Sequence, residues 1–395
     1  MSSTAVSMLP QDTVSGYVDV GVDLAKNVFQ VAYIDPSSRR LVNRQLTRAR
    51  FYDFVCSPDG FRKRIAVEAC GASHYWCREA MAHGHLALMI PASATRTFVQ
   101  SNKSDMNDAR AIWQLMHCTG IPTVRIRSED NQMLGCLLKY REKLISEKTK
   151  LANWIRAQLY ELGKITKLGS GSVLPLADGV VKQAQDEGKK WAGIAAMMNA
   201  SWHEIMASFD ENIKSVDEFI ASRAKASRLC AKLMTVPSIG LVSATVLEYV
   251  MEDPSFYRNG RQFSAYSGFA PRHAGTGGKI AVLGVDSQGN HLLKRVLYEA
   301  AMSLYMRTRT LPTARTQEER RRKHVSPWVA RMAERKPVKK VVCAIANRLC
   351  RIAWAVASQE DGRFDDSRTT LVRLCGQDPA GDRHSLEDAG CEFEP

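Results

Sequence analysis

The chain has 395 residues, 45% of them hydrophobic and 24% charged, which suits two or three folded domains and excludes a disordered or fibrous protein. No run of 18 apolar residues is present, and the opening "MSSTAVSMLPQDTVSG" lacks the charged start and apolar stretch of a signal peptide, so a cytoplasmic protein with no membrane partner is expected. The net charge of +14 is uneven: from Gln359 onward ten acids face four arginines, which leaves +20 on the rest, and a body that basic favours a nucleic-acid partner through counterion release at phosphates.

In chain order, "GYVDVGVD" alternates with period two, Val18, Val20 and Val22 on one side and Asp19, Gly21 and Asp23 on the other, and predicts a strand ending at Asp23. "VFQVAYID" and "RRLVNRQLT" continue it as a three-stranded meander, and the helix "RARFYDFVCS" follows. "RIAVEACG" is a short strand with Glu68 at its end, then come the helix "SHYWCREAMAHG" and the strand "LALMI" closed by Pro91. "NKSDMNDARAIWQLM" opens an amphipathic helix with Asp105 and Asp108 three apart, hence on one face. The order predicts a mixed α/β sheet. An acidic first turn also serves an ordinary helix start, because carboxylates favour the positive end of the helix dipole.

From Ser128 to Gly163, Leu134, Leu137, Leu144, Leu151, Ile155, Leu159 and Leu162 recur at threes, fours and sevens, and a second helical run spans about Lys189 to Leu233. "LGSGSVLPLADG" reads as the loop between them, so the pair is either a coiled-coil arm or a plain antiparallel helical hairpin. "MTVPSIGLVSATVLEYV" has the look of a helix-hairpin-helix, whose turn offers backbone N–H groups to a phosphate. "FSAYSGFAPRHAGTGGKIAVLG" reads as a glycine-rich loop before the helix "NHLLKRVLYEAAMSLYMRT". Residues 307–340 hold twelve Lys or Arg against three Glu, a bias that points to phosphate contact, and the last helix, "VVCAIANRLCRIAWAVAS", is apolar on one side. Ten cysteines occur without any C-x-x-C, and His83 and His85 stand two apart, which is no zinc-ligand spacing.

Asp23, Glu68, Asp105 and Asp108 thus fall at strand ends and at a helix start, the arrangement by which ribonuclease-H-like nucleases hold hard divalent cations on oxygen ligands. "GVDLAKNVFQV", "VEACGASHYW", "NKSDMNDARAI", "PSIGLVSATVL", "FSAYSGFAPRHAGTGGK" and "RKPVKKVVCAIANRLCRIAWAV", in this order from about residue 17 to 358, resemble the insertion-sequence transposases of the IS-one-ten type, relatives of the Piv invertases. The resemblance implies a RuvC-like α/β domain (17–127) after a flexible arm (1–16), a coiled-coil hairpin (128–225), a mainly α C-terminal transposase domain (226–358) and an acidic disordered tail (359–395). It implies Mg²⁺ or Mn²⁺ on the four acids, double-stranded DNA and a structured bridge RNA as partners, a homo-oligomer (dimer or tetramer), and association with the bacterial nucleoid. It also implies a serine nucleophile, and here the chain departs: the matching slot of "AGTGGK" holds Thr276, while Ser267 and Ser287 lie outside it. Arg272, Lys279, Arg320, Arg321, Arg322, Lys323, Lys339 and Lys340 are the candidate nucleic-acid contacts. A plain RuvC-like nuclease or resolvase using water, and a catalytically silent nucleic-acid-binding remnant, are the alternatives.

Overall fold

The computed structural model describes residues 16–56, 61–98, 105–121, 123–167, 169–276, 279–285, 289–309 and 327–364. The arm through residue 15, the tail from residue 365, and Ser287 and Arg320 to Lys323 lie outside them.

Period-two alternation builds the N-terminal sheet. Strands β1 (Tyr17–Leu24), β2 (Val28–Ile34), β3 (Leu41–Thr47), β4 (Arg62–Glu68) and β5 (Leu86–Ile90) lie in the order β3-β2-β1-β4-β5. The first three pair antiparallel as the expected meander, and β4 and β5 join in parallel after helical crossovers. One face carries Val20, Val22, Val31, Ile65 and Val67 against α1 (Arg48–Cys56) and α2 (Ser73–Ala82), with Phe29, Phe51 and Trp76 at the centre of the cluster. The other face carries Ala66 and Ile90 against Ile112 and Leu115 of α4 (Asp105–Leu115), beside the short α3 (Ala92–Phe98). Because side chains alternate across a strand, Gly21 and Asp23 share this second face with Ala66 and Glu68.

Gly21 is where α4 crosses closest. A Cβ built there would meet the Trp113 nitrogen at 2.4 Å and the Ala109 oxygen at 2.5 Å, both backbone atoms that yield only if the helix moves. Gly21→Ala is expected to cost about 1–3 kcal/mol in urea unfolding and to lower strand cleavage by shifting α4; an unchanged midpoint would refute this close packing.

The chain divides into two compact units, residues 132–250 and the remainder. In the first, most of α5 (Glu129–Glu161) and all of α7 (Ala192–Ala226) pair antiparallel, since Arg141 bridges Asp217 and Lys148 bridges Asp210. The stretch expected as a loop is instead largely helical, α6 (Val173–Asp186), which buries Val173, Ala177 and Val180 against Ile155, Leu159 and Met206. Pro175 is tolerated there because a first-turn N–H needs no intrahelical partner. The helices α8 (Arg228–Leu233) and α9 (Leu241–Met251) follow, and Glu248 of α9 is held by Arg223 and by Ser227 Oγ.

The rest of the chain belongs with the sheet. Arg125 pairs with Glu252 at 3.4 Å and stacks on Phe256, and Ser128 Oγ donates to Glu252. Then come α10 (Gly260–Ser267), the strands β6 (Pro271–Thr276) and β7 (Lys279–Val285), α11 (His291–Arg309), α12 (Pro327–Arg335) and α13 (Val338–Ser358). The glycine-rich loop is therefore a β-hairpin, which corrects that expectation. α13 is long and apolar enough to cross a membrane by length and composition, yet Val341, Ile345, Leu349, Ile352 and Val356 are buried in the fold as the core helix of this region.

Candidate active site

The parallel ladder of β1 and β4 pairs Tyr17 with Arg62 and Val22 with Val67, a constant offset of 45 residues that also separates Asp19 from Arg64. Asp23 and Glu68 stand at the same offset, one step past the last pair, so they are adjacent across two strands and on the face that α4 covers. Their fields converge on one point: the Cys70 thiol is pushed up first by burial and then by the negative charges of Glu68 and Asp23.

The helix α4 runs across the strands. Asn43 Nδ2 on β3 donates to the Met106 carbonyl at 2.9 Å, Ala109 and Trp113 lie over Gly21 on β1, and Ile112 and Leu115 reach Ala66 on β4 and Ile90 on β5. Asp105 and Asp108 continue the stripe of Ile112 and Leu115 one and two turns back, the stripe that meets the sheet. Asp108 is half-buried and Asp105 exposed. All four acids thus belong to one sheet face and its covering helix. Among the described residues they form no group of three ligand atoms within 4.8 Å of one another; that separation is met by Cys56, Glu79 and His83, at the helices of the opposite face. Four carboxylates are a hard, all-oxygen donor set, which fits Mg²⁺ or Mn²⁺.

Sequence reasoning missed the buried pair at the other end of this face. Arg64 donates to both oxygens of Asp19, at 2.6 and 2.7 Å, and His117 Nε2 lies 3.6 Å from the second. Both side chains are almost fully enclosed, 2% and 9% exposed, so the pair locks β1 to β4 four residues before the acids. The only available signal was the repeated 45-residue interval.

Thr276 stands on a different structure, the hairpin. Thr276 ends β6 and pairs with Lys279, the first residue of β7, and exposed Arg272 occupies a register irregularity between Pro271 and His273. The base is pinned: Asn347 Nδ2 donates to the Phe269 carbonyl, and Gly289, at φ +107, lies where a Cβ would be 2.9 Å from Ser267 and Gly268 backbone atoms. Ser267 is fully buried and donates to the Ser264 carbonyl at 2.6 Å, which removes it as an alternative nucleophile. Lys339 and Lys340 are exposed in the first turn of α13.

A family described as a DEDD-type IS110 transposase matches residues 20–163, and one described as the IS116/IS110/IS902 transposase family matches residues 230–317. The chain carries both transposase domains of that insertion-sequence family. It is similar to a probable family 20 transposase of Pseudomonas aeruginosa, 29% identical over 86% of this chain and 97% of the relative. It is also similar to the transposase for insertion sequence element IS1328 of Yersinia enterocolitica, 28% identical over 86% and 96%, and to that for IS1111A of Coxiella burnetii, 28% identical over 87% and 90%.

Proposed function

We propose that this protein is the transposase of an insertion sequence, a cytoplasmic recombinase that cleaves and rejoins DNA through a hydroxyl nucleophile and is guided by a bridge RNA. The observation that carries the reading is the placement of Asp23 and Glu68, side by side on one sheet face, under a helix whose sheet-facing stripe begins with Asp105 and Asp108. These four carboxylates would hold Mg²⁺ or Mn²⁺, which when bound supplies Lewis-acid stabilisation at a phosphate and lowers the pKa of an attacking hydroxyl.

In this scheme the Thr276 oxygen attacks a DNA phosphodiester, forming a threonyl–phosphate ester and breaking the bond to the 3′ oxygen, which leaves as a 3′-hydroxyl. A second 3′-hydroxyl reverses the step and joins a new strand. The threonine methyl crowds in-line attack relative to a serine, so a slow nucleophile is expected. Arg272 and Lys279 flank Thr276 on the hairpin and serve to neutralise charge on the phosphorane, while Lys339, Lys340 and the basic run Arg320 to Lys323 bind backbone phosphates. Exposed Trp154, Tyr160, Met197 and Phe219 on the helical unit supply apolar surface for a coiled-coil homo-oligomer. The turn between α8 and α9 acts as a helix-hairpin-helix phosphate contact.

The test combines the purified protein, the transcript flanking its gene, Mg²⁺ and candidate end DNA on a denaturing gel. A protein–DNA linked species that is absent from Thr276→Ala is expected. Cleaved DNA without any linked species would instead favour a nuclease that activates water, and activity that arises only in Thr276→Ser would favour a silent remnant.

A further inference from the structure

A second group of ligands lies on the far side of the sheet from the four acids. Cys56 is the last residue of α1, and Glu79 and His83 are four apart, one at the end of α2 and one just past it, so a single helical turn aims them at the same point. Their ligand atoms all fall within 4.8 Å of one another. Cys56 Sγ is 3.8 Å from His83 Nδ1. A tetrahedral zinc with bonds of about 2.3 Å to sulfur and about 2.0–2.1 Å to nitrogen holds those two donors roughly 3.6 Å apart, so the observed separation is nearly that of a loaded site.

We propose that Cys56, Glu79 and His83 form a three-ligand site for a Zn²⁺-class cation, with water in the fourth position. One sulfur, one imidazole nitrogen and one carboxylate oxygen form a borderline-soft set that suits Zn²⁺ and not Mg²⁺, the reverse of the all-carboxylate set on the other face. Binding releases the Cys56 thiol proton to solvent, and His83 gives up its Nδ1–H contact with the Glu79 main-chain oxygen, 2.9 Å, by carrying its ring proton on Nε2, which leaves the Nδ1 lone pair for the metal. Affinity therefore rises with pH. Tyr52 borders the site, its ring edge-on to His83 at 6.4 Å. His85, the neighbouring histidine, is excluded, because its Nδ1 accepts from the Lys63 N–H at 3.2 Å and its Nε2–H donates to the Val55 carbonyl at 2.8 Å. Such a cation would tie the end of α1 to the end of α2. The grouping is spatial, 27 residues separating Cys56 from His83, which is why no spacing motif announces it.

The test uses the full chain, stripped with a chelator and titrated with Co²⁺ alone, then Zn²⁺ alone. Expected are a thiolate-to-cobalt charge-transfer absorption that Zn²⁺ displaces and excess Mg²⁺ does not, and its loss in Cys56→Ser but not in Cys70→Ser, where a thiol lies beside the acids. His83→Ala and Glu79→Gln, at positions outside the core, are expected to weaken Zn²⁺ more than about tenfold. The proposal is overturned if the wild-type chain gives no such absorption, if Cys56→Ser retains it, or if folded His83→Ala binds Zn²⁺ as tightly as the parent. This outcome is independent of DNA cleavage, so it stands or falls separately from the recombinase reading.

Discussion

Asp105→Asn is expected to reduce Mg²⁺-dependent DNA cleavage by more than about 100-fold while leaving DNA binding within a factor of about two. The amide keeps the shape of the carboxylate and removes its charge, so in the proposed site it would withdraw one anionic ligand from a hard cation. The residue is exposed in the first turn of α4, so its replacement opens no cavity and the folded state is kept. The proposed DNA contacts, Arg272, Lys339 and Lys340, lie on other elements. Asp53→Asn, at an exposed acid on α1, is the matched control. Gel-shift and cleavage assays on the same preparations separate the two effects. Undiminished cleavage by Asp105→Asn would remove the four-acid site as the seat of the chemistry.

Asp19→Asn is expected to destabilise the sheet domain by about 3–5 kcal/mol, because it leaves the Arg64 guanidinium buried without its counter-charge. The substitution acts on the acids only indirectly, by loosening β1 against β4. Replacing both partners with apolar side chains of similar volume, Asp19→Leu with Arg64→Met, should recover most of the loss, since a desolvated ion pair contributes little more than good packing would. Urea midpoints of the single and double variants decide this. If the single substitution shifts the midpoint no more than an exposed Asp→Asn elsewhere, the pair carries no structural role.

The parts of the fold legible beforehand are those where side-chain periodicity coincides with burial. β1 read as a strand because Val18, Val20 and Val22 alternate with Asp19, Gly21 and Asp23, and β4 as a short apolar run, which put Asp23 and Glu68 at strand ends; their common face follows only from the ladder between the two strands. The α4 start was legible from its acidic first turn. Arg64 was not, since a charged residue at a strand end reads as solvated unless its partner is known, and Asp19 lies on a different strand. The hairpin was missed because "RHAGT" has almost no apolar content; it is held as a strand by its ladder to "KIAVLGV", a pairing that no local pattern encodes. α6 was missed for the opposite reason, with Gly, Ser and Pro signalling a turn while tertiary burial of Val173, Ala177 and Val180 favoured a helix.

The constant interval between β1 and β4 has a consequence for errors in folding. A slip of β4 by a single residue would turn Glu68 away from Asp23, and the same slip would evict Ile65 and Val67 from the apolar layer and part Arg64 from Asp19. A misregistered molecule is therefore expected to lose stability together with the alignment of Asp23 and Glu68, so the strand pairing that places the two acids is the one that the core enforces.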